Sequence, residues 1–291
     1  MTDKEIKAKW NAKDTVFVDL FHIPKYRYQL FRTLHPEMTD VKETDIEPVT
    51  LNPIILNQSY NDLGLLVKDK LLIFVEAQST WSINILIRIL LYLAMTYQNY
   101  ITEHGLYVYG SKKIEIPEPE FYVIFTGNRK FTKDTISLKE DFWHNPNAKA
   151  DVEAKVIYSE HKEDIIGQYI IFSHVLDAQI RKHGRNKTAV EETIRICKSE
   201  GVLKEYLESR EKEIIDIMIT LFDQEYAVEA YAKAYAKAYA KDERRTGEIK
   251  NTVEMCQEFG TTIEEAVQKL ISKFGISRND SAEYVKEYWK N

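Results

Sequence analysis

Cysteine is nearly absent. Cys197 and Cys256 are the only two in 291 residues, and no Cys/His spacing resembles a zinc site. The opening residues, MTDKEIKAKWNAKD, hold no apolar core, so no signal peptide is expected. Long hydrophobic runs are lacking too. The most apolar stretch, residues 83–95, is interrupted by Arg88 and falls well short of the roughly 20 residues that a membrane helix needs. The expectation is a soluble chain in a reducing, cytoplasmic setting with no membrane partner. A positive excess is also missing. A net charge of −6 excludes a surface coated in basic side chains, so contact with nucleic acid would have to come from a local cluster of Lys and Arg.

What is there suits an ordinary globular interior: 44% apolar and 12% aromatic residues. Residues 13–34 predict a helix broken near Pro24, with Phe17, Leu20 and Phe21 on one side and Tyr28, Phe31 and Leu34 continuing after the break. A polar connector follows. Three runs of strand character come next, at 50–56, 62–67 and 71–78, the last reading LLIFVEAQ as a strand buried on both faces would. Lys68, Asp69 and Lys70 form a hairpin connection. Residues 82–100 have apolar side chains at helical spacing with Ser82 as a cap, and further strands are expected at 121–125 and 152–158.

This alternation predicts a mixed α/β core over residues 1–160. From about 161 to 291 the chain is rich in helix formers and has no convincing strand, so a separate helical region is expected there, as an oligomerisation or regulatory module. It contains the repeat YAKAYAKAYAK at 231–241, whose period of four drifts by about 40° per repeat on a 3.6-residue helix. One reading is a helix with a Tyr/Ala packing face. The other is a basic helix that presents Lys233, Lys237, Lys241, Arg244 and Arg245 to phosphates. Two short helices joined at Gly275 close the chain, the first opened by a capping box of Thr261 or Thr262 with Glu264 or Glu265.

The chemistry concentrates at three residues. Glu76 and Gln78 are two apart on one strand and share a face. A hairpin loop with an odd number of residues pairs Asp62 directly with Glu76, whereas an even loop sends it to the other side of the sheet. Two carboxylates so close repel, and a divalent cation resolves the conflict. Hard oxygen ligands favour Mg²⁺ or Mn²⁺, with Asp62, Glu76 and the Ala77 carbonyl as ligands, and Gln78 as an orienter of water.

The order of parts resembles the PD-(D/E)XK nuclease superfamily. More specifically, NDLGLLVKDKLLIFVEAQSTW from Asn61, NILIRILLY from Asn84 and PEPEFYVIFTG from Pro117 resemble the Rpn family of recombination-promoting nucleases, also described as transposase-like. The resemblance covers residues 10–160; the tail matches only in general character. It implies a restriction-endonuclease-like core, a central mixed sheet flanked by helices, and Mg²⁺- or Mn²⁺-dependent DNA cleavage serving recombination, mobile elements or defence. Asp62 and Glu76 fall on the metal-binding acids. Gln78 stands where the superfamily has Lys, and Gln is usual in the Rpn family. Arg88 and Tyr92, one helical turn apart, stand where related nucleases carry Gln and Tyr, and Asp14 on the first helix is a further acid. DNA is the implied partner, and a homodimer is the form in which many nucleases cut both strands. The alternative is a catalytically decayed nuclease fold that binds DNA or protein without cutting.

Overall fold

The computed structural model describes residues 12–49, 62–129, 131 and 133–289; within these the side chains of 12–14, 62, 224–225, 227–232 and 234–242 are left aside. The expected strand at 50–56 lies outside the described residues. Helix α1 (Ala12–His22) and helix α2 (Pro24–Leu34) divide where the sequence predicts, because Pro24 sits in the first turn of α2, where its missing N–H costs nothing. The stretch read as a polar connector instead contains strand β1 (Ile46–Val49). Its Pro48 hid it from a sequence reading, and the strand tolerates that residue because β1 is an edge.

Strands β2 (Asp62–Val67) and β3 (Leu71–Gln78) form the hairpin, and helix α3 (Ile85–Glu103) crosses over to β4 (Glu118–Phe125). Ser82 caps less directly than expected: α3 begins at Ile85, and Ser82 Oγ accepts from the Asn84 N–H at 3.3 Å. Short strand β5 (Thr135–Ser137), unforeseen because three residues carry too little pattern, and β6 (Glu153–Ile157) complete a six-stranded sheet of order β1-β2-β3-β4-β6-β5. The β3–β4 and β4–β6 pairs are parallel and the others antiparallel, so the sheet is mixed.

The pleat divides this sheet into two working faces. Leu63, Leu65, Val67, Ile73, Val75 and Ala77 pack on α1, α2 and helix α4 (Ile165–His183). The alternate residues of the same strands, Leu72 and Phe74 with Val123 and Phe125 beside them, lie under α3. Strand β3 is therefore covered on both sides, as its unbroken apolar run requires.

After β6 the described residues are helical: α4, α5 (Lys187–Ser199), α6 (Lys204–Ser209), α7 (Glu211–Glu258), α8 (Ile263–Phe274) and α9 (Arg278–Tyr288). The expected division near residue 160 marks the change from strand to helix, but the compact units are Met1–Glu225 and Tyr226–Asn291. The reason is the core. Tyr169, Phe172, Leu176, Tyr206, Leu221 and Phe222 belong to the same apolar cluster as Phe17 and Ile73.

The second unit, taken by itself, is built around Ile249, Val253, Leu270 and Val285. Its capping box is Thr262 with Glu265, whose carboxylate accepts the Thr262 N–H at 2.8 Å. Gly275 ends α8 in the left-handed conformation, φ 63°. Among the described residues no helix is long and apolar enough to cross a membrane.

Candidate functional site

The hairpin connection has the odd length on which the acidic pair depends. Val67 pairs with Leu71 across Lys68, Asp69 and Lys70, and the ladder runs without a bulge to Asp62 opposite Glu76. Lys68 and Asp69 adopt positive φ, 50° and 54°, and the Lys70 N–H donates to the Val67 carbonyl at 3.0 Å to close the turn. Directly paired positions in an antiparallel ladder lie on one side of the sheet. Asp62, Glu76 and Gln78 therefore share the face under α3.

The ladder also fixes the carbonyls. The Gln78 carbonyl accepts the Thr126 N–H at 3.0 Å, so it points towards β4. Alternation then turns the Ala77 carbonyl to the β2 side, one step beyond the last registered pair, Asp62 with Glu76. The same alternation makes Asp62–Glu76 a non-hydrogen-bonded pair, the closer of the two antiparallel spacings, with Cα atoms about 4.5 Å apart.

Glu76 is buried, at 6% exposure, and it meets a cation. The Arg88 guanidinium, reaching down from α3, donates to Glu76 Oε1. Burying a carboxylate costs heavily unless it is paired, so this contact explains how an apolar strand carries an acid near its end. Gln78 is also buried; its amide nitrogen donates to the Thr80 carbonyl, while among the described residues its Oε1 has no hydrogen-bond partner. Tyr92, one turn beyond Arg88, packs against Leu72 and Phe74. The side chain of Asp14 lies outside the described residues, and its helix α1 packs on the opposite face of the sheet.

A hard cation fits this donor set: two carboxylate positions, the Ala77 carbonyl directed to the same edge, and a buried side-chain oxygen on Gln78 able to accept from a water. Among the described residues no group of three His, Cys, Asp or Glu side chains gathers.

Two features escaped the sequence reading. One is a cluster next to Gln78: Phe125, its partner on β4, touches both Trp81 and Phe131, and the Arg129 guanidinium lies over the Trp81 and Phe131 rings. The basic and aromatic alternation in TGNRKF was its only signal. The other, on the opposite face, is a polar network in which His35 and Tyr122 are buried and Glu37 is exposed. His35 lies 3.0 Å from both Glu120 and Glu37, and the Tyr122 hydroxyl donates to Glu120 at 2.6 Å. The bond to Glu120 chiefly raises the His35 pKa, and burial chiefly raises that of Tyr122.

Of the basic residues on α7, Lys233, Arg244 and Arg245 are exposed, and Arg245 donates to the Phe274 carbonyl at 3.1 Å. The side chains of Lys237 and Lys241 lie outside the described residues. Cys197 is buried, its thiol pushed up to about 12 by desolvation, which leaves it unreactive. Compared with protein-family models, with curated proteins and with solved structures, the chain matches none.

Proposed function

We propose that this chain is a metal-dependent DNA endonuclease of the PD-(D/E)XK type, akin to the Rpn family, acting at Asp62, Glu76 and Gln78. The observation that carries the reading is the register: Asp62 stands directly opposite Glu76 on the face covered by α3. Asp62, Glu76 and the Ala77 carbonyl would hold Mg²⁺ or Mn²⁺. Bound there, the ion would supply a water of lowered pKa and stabilise charge on the phosphoryl oxygens.

The chain's own residues do the rest. Gln78, tethered through its amide to the Thr80 carbonyl, offers its oxygen to orient the attacking water. Arg88 holds the Glu76 carboxylate in place through their ion pair. Tyr92, lodged against Leu72 and Phe74, holds α3 at the height that lets Arg88 reach.

A plasmid-nicking assay with Mg²⁺ or Mn²⁺ tests this. Nicking by the wild type should fall at least ~100-fold in Asp62→Asn and Glu76→Gln proteins that remain folded at the assay temperature. Nicking that survives in both variants rules out the reading.

The Arg88–Glu76 ion pair also favours a second reading, a non-cleaving binding module on the same fold, because Arg88 already neutralises the acid without an ion. Calorimetry separates the two. Glu76-dependent Mn²⁺ binding supports the nuclease, and DNA binding with no metal affinity supports the module. A homodimer acting on both strands is part of the nuclease proposal, and sedimentation on DNA would test it.

A further inference from the structure

The loop after β4 is fastened against the site. The Thr126 N–H donates to the Gln78 carbonyl at 3.0 Å. Gly127 follows, and a Cβ there would stand 2.3 Å from the Ser79 carbonyl oxygen, closer than atoms pack. Two residues on, the exposed Arg129 guanidinium lies 5.2 Å from the Trp81 ring centre and 5.4 Å from that of Phe131. Those rings are themselves locked, edge to face at 4.5 Å, and backed by Phe125 and Tyr158.

An arginine on a protein of net charge −6 would ordinarily find a carboxylate. Among the described residues Arg129 has none, and aromatic faces hold it instead. The difference matters chemically. A carboxylate occupies the in-plane N–H donors of a guanidinium, whereas a ring engages its face and leaves those donors directed outwards. Two N–H groups side by side match two oxygens of a phosphate. The rings also fix the side chain beforehand, so less freedom is lost when an anion arrives.

We propose that Arg129, seated on Trp81 and Phe131, is a phosphate-binding subsite for the backbone of the DNA strand lying across the acidic pair. The proposal rests on the nuclease reading and deepens it, since it locates one of the local cations that an acidic protein needs to hold a polyanion. Phe125 pairs with Gln78 in register, so the subsite adjoins the proposed scissile position on the same face.

The test is fluorescence anisotropy of a labelled DNA duplex with the full chain in EDTA, repeated over a range of NaCl concentrations. Arg129→Ala and Arg129→Gln should each weaken binding by about 10-fold at low salt. Both should lower the slope of log affinity against log salt by about one phosphate contact, a change that a merely structural role would not produce. Arg129→Lys should keep the slope. Unchanged affinity and slope in folded Arg129→Ala and Arg129→Gln proteins overturn the subsite, even if the wild type nicks DNA; a wild type that does not bind DNA overturns it as well. Arg129-dependent binding by a wild type that never cleaves with Mn²⁺ leaves the subsite standing and rejects the nuclease reading alone.

Discussion

Arg88 on α3 and Glu76 on β3 form an ion pair in which the acid is almost wholly buried and the arginine keeps 30% of its side chain in water. The pair ties the crossover helix to the strand it leaves. It also places a fixed positive charge where the proposed chemistry needs one, beside the acid that faces Asp62.

Removing the guanidinium leaves a carboxylate buried without that counter-charge. Arg88→Ala should therefore lower the folding stability by about 2 kcal/mol, less than for a fully buried pair because Arg88 is partly solvated. Denaturant titration measures it. The double variant Glu76→Gln/Arg88→Ala should recover part of the loss, and strictly additive effects would show that the two groups are not coupled.

The network at His35 predicts a stability optimum in mildly acidic solution. The hydrogen bond to Glu120 raises the His35 pKa, so that contribution is fully present below the ordinary value of 6.5 and is lost as pH rises through the raised one. The partner behaves oppositely. The same bond to His35 lowers the Glu120 pKa, so its contribution is present above 4.5 and is lost as pH falls through the lowered value. Both operate together between 4.5 and 6.5. Melting temperature against pH for the wild type and His35→Gln checks this. A difference between the two that stays constant with pH would contradict it.

The shared apolar cluster predicts where the chain can be cut. A protein ending at Glu225 keeps Tyr169, Phe172, Tyr206, Leu221 and Phe222 and should melt cooperatively. One ending near residue 160 loses them all, at roughly 1.5–3 kcal/mol for each large side chain no longer buried, and should not fold. Circular dichroism melts of both proteins decide it.

Gly127 tests the packing beside the site. A Cβ there would meet the backbone oxygen of Ser79, which cannot swing away as a flexible side chain would, and the Phe125 ring at 2.5 Å. Gly127→Ala should cost about 1–3 kcal/mol. It should also disturb the turn that holds Gln78, reducing nicking more than Asn128→Ala does. Equal stability of Gly127→Ala and the wild type would show that the loop yields freely.

Much of the core was readable because it depends on local pattern. The helix break at Pro24, the fully apolar β3, the three-residue hairpin loop and the capping box at Thr262 each follow from a few neighbouring residues. Strands β1 and β5 did not show, since four residues with a proline and three residues alone have too little periodicity, and only the neighbouring strands make them strands. The change from strand to helix near 160 was visible in sequence, but the apolar cluster shared by residues on both sides of it was not.

Strand periodicity alone put Glu76 and Gln78 on one face, whereas Asp62 joins them only because the hairpin forms with an odd loop, one of the two arrangements open to the sequence. What that face meets is set by the packing of whole elements. The crossover of α3 brings Arg88 onto Glu76, and the parallel pairing of β4 sets Phe125, and with it Trp81 and Arg129, beside Gln78. Such contacts join segments distant in the chain, and their partners are chosen by how whole elements pack, which no local pattern records.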